Sequence, residues 1–458
     1  MIENDAFKLL LINLFHLNPD DITNIVCTTF NKMMVLLVTL ADKHQACPYC
    51  GFTAPKIKEY VTKEITHSAL TTQKCIIKYR ARRYKCSCCG KTYYEFNPFV
   101  FKSQKISILT VHNILKDLKD FNETFTSVAR RYHVSPTSVS TIFDKHVDIG
   151  RNPLPEIINF DEVYAFKSEK SKYVCVLLDF KKQIPVDVLP NRKKEYLLNY
   201  FQKIPLEERK KVKYACSDMY EVYRDVVHKV FPEAKHLLDY FHLSQDFHKK
   251  MNEVRIKVMK GYKDDKASDE YYLLKKFNWL LFKNPEDEDK YGRLFDVERE
   301  RKYNSHFKSY MNYYDLRKKI LEINNDLTIC YSLKLELVDF YSKSTIDNAQ
   351  VNLEHLIRSC IDTNIEEMIA FSNNLINWKQ EIINSFTIVG TEYKVEADKG
   401  QVMVCNKKVN NAIIENRNKI IKCIKNNANG YTNWSRFRNR VMYVLDPSAT
   451  FSLEPREK

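Results

Sequence analysis

Two Cys-x-x-Cys-Gly units, "CPYCG" at 47–51 and "CSCCG" at 86–90, constrain this chain more than any other feature. Thiolates at that spacing converge on one ion only where the backbone curls back, and Gly51 and Gly90 allow its N–H groups to point at sulfur. The spacing predicts a structural zinc site of Cys47, Cys50, Cys86 and Cys89 within a ribbon over residues 46–100. Reduced core cysteines would not explain two such units. Cys88 is a spare thiol, and Cys75 lies too far from either pair to assign.

The second half of that ribbon, "KCIIKYRARRYKCSCCGK" at 74–91, carries seven Lys or Arg and no acid. Basic and aromatic residues interleaved on a rigid ribbon, with Arg82 and Arg83 at the centre, suit phosphate contacts; a solvated basic face is the alternative reading. The whole chain shares the bias, with 73 Lys and Arg against 58 Asp and Glu and a formal charge of +15. A polyanionic partner follows, nucleic acid ahead of an anionic membrane surface. The N-terminus "MIENDAFKLLLINLFHL" has acids where a signal peptide needs Lys or Arg, and "MMVLLVTLA" is too short to span a bilayer. The expectation is a cytoplasmic protein whose thirteen cysteines are reduced or metal-bound.

At 458 residues and 44% apolar content, several cores are possible. Pattern changes divide the chain into a helix and hairpin over 1–45, turning at Asn31 and Lys32, the ribbon over 46–100, a helical module over 104–150, a catalytic domain over 156–445 and a tail over 446–458. In "FTSVARRYHVSPTSVSTIFDKH", Ser135 is an N-cap and Pro136 the first residue of a second helix, the grammar of a helix-turn-helix. Thr137, Ser138 and Thr141 would face bases, while Arg130 and Arg131 reach phosphates.

Residues 156–239 read strand, strand, strand, helix, strand, helix, strand. Three strands in meander followed by alternating helices and strands is the order of an RNase H-like mixed α/β sheet, in which the first and fourth strands are neighbours. Asp161 in "IINFDEVYAF" and Asp218 after "VKYACS" would then face each other, with Glu162 on the opposite strand face. Two aspartates so close repel unless cations lie between them, and hard oxygen ligands suit a pair of Mg²⁺ ions. A third carboxylate is expected on a later helix. Glu415 is the choice, sharing a face with Lys419, Lys422 and Asn426 opposite Ile413, Ile420 and Ile424; an exposed Glu–Lys pair is the plainer reading. The text over about 245–385 predicts an all-helical insertion, and 409–445 a strongly basic helix. The fold class is thus multidomain α+β.

The run from Glu415 to Tyr431 followed by "TNWSRFRNRV" resembles the C-terminal signature of insertion-sequence transposases of the ISL-three group. Other landmarks come in that family's order: "CPYCG" with "RRYKCSCCGKTY", "FDEVYAFK" with "YVCVLLDF", "SDMYEVYRDVV", "FPEAKHLLDYFH" and "NWKQEI". The resemblance implies a bacterial, nucleoid-associated DDE-type transposase that is Mg²⁺-dependent and acts on double-stranded DNA, both element ends and target, as a homodimer or larger assembly. It places Asp161, Asp218 and Glu415 at the catalytic positions, with Glu381 and Glu396 as rivals for the third, and likens Asp239 and His242 to an accessory D-x-x-H pair. Arg436 and Arg438 join Lys419 and Lys422 as DNA contacts. Trp378 would stack on a flipped base or be a buried helix residue. Two other functions fit parts of the text: a non-enzymatic zinc-ribbon regulator, and a recombinase using Tyr431 beside Arg436, Arg438 and Arg440.

Overall fold

The structure, a computed structural model, describes residues 2–43, 45–53, 55–101, 104–166, 172–395 and 402–456, side chains excepted at 2–5, 392–395 and 402–406. Helix α1 (Ile2–Leu14) precedes a hairpin of β1 (Ile22–Phe30) and β2 (Met33–Leu40). Asn31 and Lys32 form its turn, with φ of 49° and 60°, the mirror-image geometry that suits the twist of two strands. Strand β2 runs parallel to β4 (Cys75–Lys85), which also pairs with β3 (Lys56–Thr66) and β5 (Thr92–Tyr94). Hairpin and cysteine-bearing strands therefore form one five-stranded sheet, and Leu36, Ile65, Cys75 and Ile77 share its core with Ile12 and Phe15.

Three short helices follow: α2 (Ile108–Asp117), α3 (Phe125–Arg131) and α4 (Pro136–His146). The Ser135 side chain caps α4 by accepting from the Ser138 N–H, and Pro136 occupies the first turn. Val111, Leu115, Val128, Val139 and Phe143 close their core, and Tyr443 from the far end of the chain joins them.

Strands β6 (Ile157–Tyr164), β7 (Tyr173–Asp179) and β8 (Pro185–Leu189) form a meander, followed by α5 (Lys194–Gln202), α6 (Leu206–Arg209), β9 (Tyr214–Ser217), α7 (Glu221–Val230) and β10 (Lys235–Leu238). The sheet order is β10-β9-β6-β7-β8, with β6, β9 and β10 mutually parallel and the meander antiparallel. Ile158, Phe160, Cys175 and Leu177 bury one face of this sheet against α5 and α7.

From α8 (Tyr240–Lys260) the chain leaves the sheet for α9 (Asp269–Lys276), then two short hairpins, β11 (Glu288–Asp289) with β12 (Gly292–Arg293) and β13 (Lys302–Asn304) with β14 (Ser309–Met311). Helices α10 (Tyr313–Glu322), α11 (Asn325–Lys343), α12 (Ala349–Asp362), α13 (Glu366–Asn377) and α14 (Lys379–Asn384) complete a separate core around Phe247, Leu353 and Phe371. The segment is thus not all-helical: Gly292 (φ 96°) and Lys308 (φ 49°) permit tight turns, and the polar-aromatic text around them suits two-stranded ribbons.

A hairpin of β15 (Ile388–Val395) and β16 (Val402–Lys408) leads back to α15 (Ala412–Asn427) and α16 (Trp434–Leu445). The expected single basic helix over 409–445 is therefore two. Asn429 (φ 54°) and Gly430 (φ 96°) break it, and the Gly430 N–H donates to the Lys425 carbonyl at 2.9 Å, a helix-terminating bond that needs left-handed backbone. Ile414, Ile421, Ile424, Phe437 and Val441 cover the second face of the sheet over Val163, Val176 and Val188. A layer of helices thus lies on each side of the strands, and the open end beyond β9 and β10 receives the N-termini of α8 and α15. No described helix is long and apolar enough to cross a membrane.

Candidate active site and metal centre

The four knuckle cysteines meet: Cys47 and Cys89 sulfurs are 3.7 Å apart and Cys50 and Cys86 3.5 Å. Thiolates on one tetrahedral zinc, with bonds of about 2.3 Å, require sulfur separations of about 3.8 Å. Gly51 and Gly90 have φ of 74° and 70°, and their N–H groups bond back to the Cys47 and Cys86 carbonyls. The Cys89 and Cys88 N–H groups hold the Cys86 thiol down to about 7, which favours the thiolate a metal takes. Cys88 is exposed and outside the group, and Cys75 is buried in the sheet core.

The carboxylates gather where β6, β9, β10 and α15 come together. Alternation along β6 sends Phe160 into the core beneath α5 and α7 and turns Asn159 and Asp161 toward α15. The Glu162 N–H donates to Asp161 Oδ1 at 2.7 Å and Asn418 Nδ2 to Oδ2 at 2.8 Å. Burial pushes the Asp161 carboxyl up to about 7; the Glu162 N–H offsets part of this and the Asp218 charge adds to it. Asp218, one residue beyond β9, is pushed up to about 6 by burial first and by Glu162 second. Asp239 stands at the N-cap position of α8, and burial raises it too, with the nearby Glu415 charge adding.

The closest three-ligand group in this region is Asp239, His242 and Glu415, whose ligand atoms lie within 4.8 Å of one another. His242 is one turn along α8 from Asp239, 3.9 Å from it, and its charge also bears on Asp161 and Asp218. Asp239 and Glu415 thus stand beside the imidazole, while Asp161 and Asp218 sense its charge from outside that close group. Among the described residues, Glu162 Oε2, Asp218 Oδ1, Asp239 Oδ2, His242 Nε2 and Asn418 Oδ1 are buried without a hydrogen-bond partner. Oxygens withdrawn from water and left unpaired are costly. The donor set, mostly carboxylate, fits a hard divalent cation.

Several residues here escape a reading of the sequence alone. Asn418 sits on the buried stripe of α15 with Ile414 and Ile421, whereas Ile413 and Ile420 lie only half-buried at its flanks. A polar residue four after one buried isoleucine and three before another was the available signal. Arg192 forms an ion pair with Glu162 and stacks over Tyr173 and Tyr220, at 4.8 and 4.7 Å. Asn411 bridges the site, its N–H donating to Asp239 Oδ1 and its side chain to the Phe160 carbonyl. Of the rival acids, Glu381 is buried in a different cluster, beside His228 and His236, and Glu396 lies outside the described residues.

The cationic candidates separate into two sets. Arg82 is held by Glu95 at 2.7 Å, Arg83 by Glu59 at 2.6 Å, Arg436 by Asp144 at 2.7 Å, Arg438 by Asp187 at 2.7 Å, and Arg131 by Asp117 and Glu123. Arg130, Thr137, Thr141, Lys419 and Lys422 are exposed, while the Ser138 hydroxyl is bonded to that of Ser135. Trp378 is buried beneath Arg224, whose guanidinium is 4.3 Å from the ring, so it is the buried helix-end residue of the two readings. Tyr431 packs on Phe125 and Phe437, and Arg440 is buried against the Asp120 and Glu123 carbonyls. Arg440 also bonds the Tyr431 hydroxyl, while Arg436 and Arg438 are taken up by Asp144 and Asp187.

A family model described as a transposase, of the DDE type and ISL3 group, matches residues 158–408, more than half the chain. The match takes in Asp161, Asp218, Asp239 and His242 and ends seven residues before Glu415. Over 410 residues the chain is 19% identical to the transposase for insertion sequence element IS1001 of Bordetella parapertussis, covering 89% of this chain and 90% of that one. The chain therefore belongs to the ISL3 family of insertion-sequence transposases.

Proposed function

We propose that this chain binds the terminal inverted repeats of an insertion sequence and carries out metal-dependent cleavage and transfer of DNA strands. Membership of the transposase family already makes it an enzyme of nucleotidyl transfer that acts on DNA. The observation that carries the finer reading is the convergence of Asp161, Asp218, Asp239, Glu415 and His242 from four elements that share the open end of one sheet. The strand order supports an RNase H-like domain, with its first and fourth strands adjacent as that fold requires.

In this reading Asp161, Asp218 and Glu415 would hold two Mg²⁺ ions, with Asp239 and His242 as accessory groups, and the four cysteines would hold a structural Zn²⁺. Bound divalent ions supply the charge that activates an attacking oxygen and stabilises the leaving one. The chain's own groups prepare the place: Asn418 and the Glu162 N–H fix the rotamer of Asp161, and Arg192 turns Glu162 away from α15. The helix over Pro136–His146 would read end DNA through Thr137, Ser138 and Thr141, with Arg130, Lys419 and Lys422 free to meet phosphates. The arginines paired internally would contribute to DNA binding only by exchanging partners. The protein would work on the bacterial nucleoid as a dimer or larger assembly.

The test is nicking of a duplex carrying the inverted repeats that flank the reading frame, with and without Mg²⁺. Strand cleavage at the repeat end in Mg²⁺ alone is expected. Tight end binding with no cleavage under any divalent condition would instead identify a non-enzymatic regulator.

A further inference from the structure

A second cluster lies at the β10 edge of the second sheet, apart from the carboxylates. His228 in the last turn of α7, His236 on β10 and Glu381 on α14 bring two imidazole nitrogens and a carboxylate oxygen within 4.8 Å of one another. Glu381 Oε1 is 3.9 Å from His228 Nε2 and 4.0 Å from His236 Nδ1. His236 is 1% exposed and Glu381 5%, and His236 Nδ1 has no hydrogen-bond partner among the described residues.

The tautomer of His236 follows from its other nitrogen. Ser217 Oγ donates to the Asp218 carbonyl at 2.8 Å, so its contact with His236 Nε2 at 2.9 Å is one in which Nε2–H donates and the hydroxyl accepts. Nδ1 then carries a bare lone pair aimed at Glu381. Burial pushes the His236 imidazole down to about 3, so this is a neutral ring facing a buried carboxylate, which gains no ion pair from the arrangement. His228 is more than half exposed and completes the triangle from the solvent side.

We infer that His228, His236 and Glu381 form a second transition-metal site, with the ligand set of a zinc ion bound by two imidazoles and one carboxylate. Tetrahedral zinc with bonds of about 2.0–2.1 Å sets its ligand atoms roughly 3.4 Å apart, so the triangle must close by about an ångström. The exposed His228 is free to approach, and the pair of Glu381 and His236, 4.0 Å apart, must close by about half an ångström through a small turn of the Glu381 carboxylate. The fourth position opens to water on the His228 side.

The ion fastens the end of the helical segment to the sheet. Glu381 is on α14, where the chain returns from that segment, and Asn384 of the same helix donates to the His236 carbonyl at 2.9 Å. Trp378 and Arg224 close one side, Arg224 also donating to the Asn377 carbonyl at 2.9 Å. Through Ser217 the bond network reaches the backbone of Asp218. The site is therefore a positioning device, and its existence does not depend on what Asp218 does.

Zinc content of the full-length protein tests this, measured after purification without chelators for the wild type, His228→Ala and His228→Cys. Two equivalents per chain are expected for the wild type, one at the cysteines and one here. His228→Ala should retain one, and His228→Cys, which restores a ligand, should retain two. When the zinc is replaced by Co²⁺, His228→Cys should show thiolate-to-metal absorption in excess of that which the four-cysteine centre gives in the wild type. Equal zinc in wild type and His228→Ala would overturn the site, as would no added absorption in His228→Cys. Both substitutions lie at an exposed helix end, and a shared melting curve with excess chelator would show that neither merely unfolds the chain.

Discussion

The cysteine centre and the carboxylate centre are both places where four or more ligand groups converge, yet they are built in opposite ways. The cysteines sit on two tight turns at one end of the first sheet, each turn fixed by a left-handed glycine, and their sulfurs already stand at the spacing a tetrahedral ion needs. The acids are buried at the open end of the second sheet, their carboxyls raised by burial and by one another. A closed soft-ligand site relaxes when filled and then does nothing more. A hard-ligand site with unpaired oxygens stores repulsion that a cation relieves while leaving room for a substrate oxygen.

Replacing an acid should break that contrast most severely. Asp161→Asn or Asp218→Asn keeps size but removes charge that would hold the divalent ions, and strand cleavage should fall by about a thousandfold or more. End-DNA affinity should hold within a few-fold in a gel-shift measurement. Cleavage at the wild-type rate by Asp161→Asn would remove the residue from the site. Cys47→Ser, by comparison, should act on stability: it should release one zinc and cost several kcal/mol in the melting of the first sheet, whereas Cys88→Ser should do neither.

The two centres also differ in how much of them the linear text disclosed. Knuckle ligands are neighbours in sequence, so Cys47, Cys50, Cys86 and Cys89 could be named from spacing and the glycines after them. The turn at Asn31–Lys32 and the cap at Ser135 are equally local. The strand order of the second sheet was legible because three apolar runs in meander and two separated ones admit few arrangements. What stayed hidden was non-local. The hydrogen bond from Asn418 to Asp161 joins residues 257 apart in the chain, and Asp239 approaches Asn411 from 172 residues away. Five of the six arginines read as phosphate contacts, all but Arg130, find carboxylates on other segments, which no charge count reveals. The split of α15 from α16 rests on a single turn, where Gly430 outweighs an otherwise helical pattern.

Stored repulsion in the carboxylate centre gives a pH signature that the cysteine centre lacks. Asp161 is held up to about 7 against an unfolded value near 3.8, so between those values the folded chain binds more protons than the unfolded one. The metal-free protein should therefore lose stability as pH rises from about 4 to about 7 and lose no more from this group above that. The loss amounts to a few kcal/mol by order of magnitude, since one pKa unit corresponds to about 1.4 kcal/mol. Urea unfolding at pH 5 and pH 8 should show the difference, and Asp161→Asn should reduce it, leaving the part that the raised Asp218 and Asp239 contribute. A metal-free chain more stable at pH 8 than at pH 5, with no change in Asp161→Asn, would contradict the burial of that carboxyl.

The smallest effect expected, and the finest test of how the acids interact, is at Glu162. It lies on the opposite face of β6 from Asp161, as strand alternation requires, and taken alone that would make it a bystander. Its charge is nevertheless the largest electrostatic contribution raising Asp218, because Asp218 stands just past the end of the neighbouring strand β9. The ion pair with Arg192 holds Glu162 in place. Glu162→Gln keeps a hydrogen bond to Arg192 and removes the repulsion, so two modest terms of opposite sign should leave stability within about 1 kcal/mol of the wild type. The Asp218 carboxyl should titrate lower, and divalent binding should extend to a more acid pH. Following Mn²⁺ binding from pH 5 to pH 8 in both proteins reads that displacement directly. An unchanged midpoint would mean that the two carboxylates do not sense each other, and that burial alone keeps Asp218 raised.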